Sequence, residues 1–173
     1  MCVQDTLKKQ LQRVRFEKAI YYIDSTANGK KHLNTQELAS LNIMIRGNDD
    51  DPWRNEAAVV SFPGGKRASF ALLTNPLIQL RNIISDAAQK AMNGDLEEAA
   101  VDLYSQLVLN HFFKDGNRRT AVAATHWLLL ERGIHISALG LLEVGIGDIR
   151  SQEQLDSLRR LIRVSIDMAK SRA

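Results

Sequence analysis

Two apolar helix patterns meeting at one short, charged corner constrain this chain more than anything else in it. Leu103, Leu107 and Val108 recur at helical spacing and lead to His111; Ala121, Ala124, Trp127, Leu128 and Leu130 resume the pattern until Gly133. Between them runs His111-Phe112-Phe113-Lys114-Asp115-Gly116-Asn117-Arg118-Arg119-Thr120, which packs a base, a carboxylate, an amide and two guanidiniums together. Gly116 breaks the helical path, Asn117 reads as the N-cap of the second helix, and Gly133 is a natural residue just past its end.

The second helix therefore opens with Arg118 and Arg119, against the preference of a helix N-terminus for anions. That preference amounts to roughly 0.3–1 kcal/mol per surface charge. Asp115 offsets only part of the conflict. A bound anion would remove it, because free backbone N–H groups and two guanidiniums would converge on the same point. On the residues alone, a phosphate cradle with a histidine at its rim and a corner whose charges are simply solvated both remain open.

The pattern His111, Phe113, Asp115, Gly116, Asn117, Arg119 resembles the His-x-Phe-x-Asp-Gly-Asn-x-Arg signature of the Fic/Doc (Fido) family. The likeness is tight over about residues 97–133 and loose over about 30–135. It implies an all-α, Fido-type helical bundle with one small β-hairpin, the flap, near residues 57–72. It also implies transfer of part of a nucleotide onto a protein Ser, Thr or Tyr hydroxyl. In that scheme His111 takes the proton from the target hydroxyl, a task suited to an unperturbed pKa near 6.5. Asp115 holds Mg²⁺, a hard cation that wants oxygen ligands. Gly116, Asn117, Arg118 and Arg119 bind the phosphates of ATP, with Arg119 as the bidentate clamp. Phe113 anchors the loop in the core and does no chemistry.

Two positions depart from the commoner Gly-Asn-Gly-Arg-x-x-Arg continuation: Arg118 replaces its second glycine and Val122 its last arginine. The doc (death-on-curing) branch is similar here, with a basic residue at the first position and an apolar one at the second, and its Arg-Thr-Ala matches Arg119-Thr120-Ala121. The resemblance thus implies doc-like phosphoryl transfer from ATP to a target protein held at the flap; the known target of that branch is the translation factor elongation factor Tu. The alternatives are Fic-type AMP transfer and an inactive Fido domain that acts as a binding module, its phosphate site filled by Arg118. No glutamate in the chain is followed by Gly or Asn, so the family's inhibitory Ser/Thr-x-x-x-Glu-Gly/Asn element is not present in it. The expected restraint on a toxic activity is a separate antitoxin chain.

The remaining sequence reads as one domain, 1–173. A helix is predicted from about Asp5 to Ala27, with Leu7, Leu11, Val14, Ala19, Ile20 and Ile23 as its apolar face. A turn follows at Asn28-Gly29-Lys30-Lys31. Asn34 with Glu37 forms a capping box for a helix to about Ile45. The loop Gly47-Asn48-Asp49-Asp50-Asp51-Pro52 lacks the glycine and glutamate of an EF-hand. Residues 58–62 and 68–72 flank Pro63-Gly64-Gly65-Lys66 as a hairpin; that turn is no P-loop, having Arg67 where Ser or Thr belongs. Asn75-Pro76 starts a helix to about Met92, and Ser151 with Gln154 starts a last one to about Lys170.

Composition narrows the class further. At 45% apolar and 25% charged, the 173 residues suit an ordinary globular domain. No run of about 20 apolar residues is present to span a membrane. Met1-Cys2-Val3-Gln4-Asp5 does not read as a signal peptide, and the single cysteine fits a reducing, cytoplasmic setting. A net charge of +3 with mixed signs argues against nucleic acid, and Arg159, Arg160 and Arg163 read as the solvated side of an amphipathic helix. His32, His111, His126 and His135 show no ligand-like spacing, which argues against a zinc hydrolase.

Overall fold

The structure is a computed structural model that describes residues 3–27, 31–62 and 65–172. The turns expected at Asn28-Gly29-Lys30 and Pro63-Gly64 lie outside those residues, as does Cys2. The chain runs α1 (Val3–Thr26), α2 (Thr35–Arg46), β1 (Ala58–Ser61), β2 (Arg67–Phe70), α3 (Pro76–Met92), α4 (Leu96–Asn110), α5 (Asn117–Leu130), α6 (Ala138–Glu143) and α7 (Gln152–Lys170). The architecture is therefore helical with one hairpin, as expected.

α5 is the axis. α1, α2, α3, α4 and α6 all pack against it, and every residue from Thr120 to Leu129 is buried. A helix covered on all sides needs small or apolar side chains all round, and Ala121, Val122, Ala123, Ala124, Trp127, Leu128 and Leu129 provide them. Gly133, at φ +74°, ends the run, with the Ile134 N–H returning to the Leu129 carbonyl at 3.0 Å. α7 lies on α4, burying Leu158, Ile162 and Ile166.

Caps follow the sequence in part. The Asn34 side chain accepts from the N–H groups of Gln36 and Glu37. Glu37 does not reach back to complete a capping box, because its carboxylate is taken by Tyr22 Oη at 2.7 Å and Lys31 Nζ at 2.9 Å. The Ser151 hydroxyl accepts from the Gln154 N–H. Asn75 sits in the left-handed region (φ 55°) and makes no side-chain cap, although Pro76 does open α3.

α1 carries two apolar stripes, and the sequence reading mixed them. Phe16, Ala19, Ile23 and Ala27 face the core, whereas Leu7, Leu11 and Val14 are exposed. At about 100° per residue, positions 7, 11 and 14 fall on the side of the helix opposite 16, 19 and 23. The hairpin is antiparallel, pairing Ala58 with Phe70 and Ser61 with Arg67.

Candidate active site

The corner between α4 and α5 is held from three sides. α4 ends at His111, which adopts the left-handed conformation (φ 49°, ψ 56°) and turns the chain back across the bundle. The next residues run beside the segment before the hairpin: the Arg54 N–H donates to Phe112 O and the Lys114 N–H to Pro52 O, each at 3.0 Å. Trp53 stacks on Phe113 with ring centroids 5.1 Å apart, and Phe113 is 1% exposed, so it anchors the loop as expected. From α2, the fully buried Asn42 donates to Asp115 O at 2.9 Å and to Thr120 Oγ1 at 3.0 Å.

Gly116, not Asn117, is the N-cap of α5, and no side chain caps the helix. Its φ of +74° favours glycine, and an added Cβ would sit 3.4 Å from both Asn42 Nδ2 and Ile45 Cγ2. Glycine is thus favoured by the backbone turn, while α2 would meet a Cβ at close to ordinary contact distance. Asn117 is the first helical residue and closes the loop instead: its Oδ1 accepts from Phe113 N at 2.9 Å and its Nδ2 donates to Phe113 O at 2.8 Å. The first N–H groups of α5 are left without helical acceptors.

His111, Lys114, Asp115, Gly116, Asn117, Arg118 and Arg119 line one cavity of about 420 Å³ together with the β1 residues 58–61. The imidazole is fixed on both sides. Nδ1 lies 2.8 Å from the Val108 carbonyl, which makes Nδ1 the protonated nitrogen and leaves Nε2 as an acceptor. The ring stacks on Phe70 at 4.3 Å between centroids. Burial pushes its pKa below the ordinary value, the Val108 carbonyl opposes this, and the Arg54 cation adds to the downward push.

Arg119 points inward. Its side chain is 16% exposed, Nη2 lies 3.5 Å from Asp115 Oδ2, and Nη1 is buried with no hydrogen-bond partner among the described residues. Burial disfavours its charge, Asp115 partly restores it, and Arg15 works against it. Asp115 is exposed at the cavity mouth, with Oδ1 accepting from the Gly116 N–H at 2.5 Å.

Arg118 departs from its expected role. Its Nη2 donates to Leu142 O at 2.8 Å and Val144 O at 2.6 Å, closing the C-terminal end of α6. Its guanidinium therefore does not fill the cradle. A second cavity of about 820 Å³ shares Arg118 and Arg119 with the first and extends past Arg13 of α1 to Leu142 of α6.

Two residues of the site escaped the sequence reading. Arg54 is 8% exposed and donates only to carbonyls: Nε to His111 O (2.6 Å), Nη1 to Glu56 O and Phe70 O (2.8 and 2.9 Å), Nη2 to Ala71 O and Asn110 O (2.8 and 3.3 Å). One cation thereby joins the hairpin to the negative end of α4. Asn42 carried the better signal, as an amide on the helix face that buries Leu38, Leu41 and Ile45.

Solved structures share this fold. A Fic domain-containing signalling protein from Bacteroides thetaiotaomicron aligns over 95% of this chain and 74% of its own, at 19% identity and a TM-score of 0.60. IbpAFic2 covalently tethered to Cdc42 aligns over 90% of this chain and 57% of its own, at 18% identity and a TM-score of 0.63. An IbpAFic2 variant in complex with adenylylated Cdc42 gives 94%, 55%, 18% and 0.63 in the same order. The chain thus spans little more than half of either IbpAFic2 chain. No curated protein matches significantly by sequence. The model of the Fic/DOC family matches residues 32–129, more than half of the chain, and the chain belongs to that family.

Proposed function

We propose that the protein transfers the γ-phosphoryl group of ATP to a hydroxyl of a target protein. The observation that carries this reading is the buried Nη1 of Arg119, without a partner among the described residues, in the same cavity as an oriented imidazole. A buried cation with an open donor calls for an anion, and the N-terminus of α5 favours the same charge. Arg119 and the first N–H groups of α5 bind the phosphates. His111 accepts the hydroxyl proton at Nε2 as the oxygen bonds to the γ-phosphorus and ADP leaves. The Asp115 carboxylate, an exposed hard oxygen donor at the mouth, suits Mg²⁺, which would neutralise charge on the triphosphate. The β1 edge opposite His111 suits a target segment bound by strand addition.

Val122 supports phosphoryl over AMP transfer. It is fully buried against the bundle, where the AMP-transferring pattern has a second arginine for the far phosphates. AMP transfer is the second reading, favoured by the fold shared with an IbpAFic2 variant that was captured with adenylylated Cdc42. ATP labelled at the γ or the α position, incubated with Mg²⁺ and candidate target proteins, decides between them. Label from the γ position is expected on protein; label from the α position alone would establish AMP transfer instead. If neither transfers and calorimetry finds no Mg²⁺-dependent ATP affinity, the domain is a binding module.

A further inference from the structure

Far along α5 from its N-terminus, the fold assembles a cluster that the sequence hides. His126 on α5, His135 just beyond the Gly133 turn and Asp24 near the end of α1 present one ligand atom each, all within 4.8 Å of one another. Nε2 of His126 lies 2.8 Å from Asp24 Oδ1, and Nε2 of His135 lies 3.3 Å from the same oxygen. The expectation that these histidines lack ligand spacing is thus corrected: their neighbours are brought in by α1 and by the reversal at Gly133, which folds His135 edge-on over His126. We propose that Asp24, His126 and His135 form a site for a divalent transition cation of the Zn²⁺ class, which ties α1 to α5.

The spacing fits. With bonds of about 2.0–2.1 Å, tetrahedral ligand atoms stand about 3.3 Å apart; the two contacts to Asp24 Oδ1, 2.8 and 3.3 Å, are near that value, and all three ligand atoms lie within 4.8 Å of one another. The donor set is two imidazoles and a carboxylate, which suits Zn²⁺ or its first-row neighbours and is too nitrogen-rich for Mg²⁺. Accessibility is graded in a useful way. The His126 side chain is 0% exposed and gives a fixed base, Asp24 is 35% exposed, and His135 is 64% exposed and opens the site to solvent. A cation can therefore enter, and water can fill the fourth position. Nδ1 of His126 is buried with no hydrogen-bond partner among the described residues, so the ring's tautomer is set by what Nε2 meets. Without a cation, Nε2–H donates to Asp24; with one, the ring's proton sits on Nδ1 and the Nε2 lone pair faces the metal.

The test is a titration of the untagged, chelator-stripped full chain with Zn²⁺ against a chromophoric chelator. One equivalent is expected to bind at micromolar affinity or tighter, with no competition from millimolar Mg²⁺. His135→Ala, at an exposed position, is expected to weaken uptake by roughly tenfold or more, and Asp24→Asn to weaken it likewise. Cys2→Ser is expected to leave it unchanged. Co²⁺ is expected to give the visible spectrum of a four-coordinate site in the wild type and to lose it in His135→Ala. Zn²⁺ uptake equal in wild type and His135→Ala, or no uptake by wild type at 10–100 micromolar Zn²⁺ (roughly one to two decades of the expected range), would overturn the proposal and leave a hydrogen-bonded triad only. Neither outcome depends on ATP, so this site and the transferase reading stand or fall separately.

Discussion

At His111 the backbone, the ring nitrogen and the ring face are each held by a different part of the chain. The left-handed backbone ends α4, Val108 fixes the tautomer and Phe70 covers the face. The depressed pKa has a definite sign. A base acts when neutral, so a lowered pKa extends activity to more acidic solution. The acid limb of kcat/KM against pH is expected below the ordinary value of about 6.5. Phe70→Ala uncovers the ring, reduces the burial that depresses the pKa, and is expected to move that limb upward. A limb unmoved by Phe70→Ala would separate the titrating group from His111. Arg119 gives a complementary test. Because its Nη1 is buried without a partner among the described residues, Arg119→Ala is expected to relieve the fold while disabling the proposed site. The expected result is a loss of roughly 10²–10³ in kcat with a thermal midpoint equal to or above wild type. A structural arginine would give the reverse, a lower midpoint with activity retained in the folded fraction. These residues were legible because they are consecutive. Asn42 and Arg54 were not, since their partners lie 73 and 57 residues away and only packing brings them together.

The hairpin illustrates what an element owes to one side chain. β1 and β2 are four residues each, too short to be stable alone, and Arg54 ties their base to the end of α4. Arg54→Ala would remove the shared donor of five carbonyls on half-buried or exposed residues, so a destabilisation of about 1–3 kcal/mol is expected in urea denaturation. Arg54→Lys recovers the charge but not the fork, and rescue is expected to be partial. A loss below ~1 kcal/mol for Arg54→Ala would show that water replaces the guanidinium freely. Elements with one apolar stripe, such as α7, could be read directly from their spacing. α1 could not, because its two stripes have the same period and only the position of α2 and α5 decides which is covered.

For the molecule as a whole, the charges on α7 were read as solvated, and the structure makes them partners. Arg163 forks onto Glu97 with two contacts of 2.8 Å, and Arg159 lies 3.1 Å from Glu98, both glutamates being in the first turn of α4. This matching offsets part of the basic charge that a nucleic-acid reading of α7 would need, while Arg160 stays exposed. Exposed pairs of this sort contribute little. Arg163→Ala is expected to leave the thermal midpoint within measurement error at moderate salt; a clear drop would mean that α7 is clamped by charge as well as by Leu158, Ile162 and Ile166. The anchoring of Arg118 reaches furthest. Its guanidinium donates to the two carbonyls that finish α6, so although both arginines line the cavity beside His111, only Arg119 of the two keeps a buried terminal nitrogen, Nη1, without a partner among the described residues. The six residues 138–143 thus owe the finish of their last turn to a side chain rooted in the first turn of the central helix.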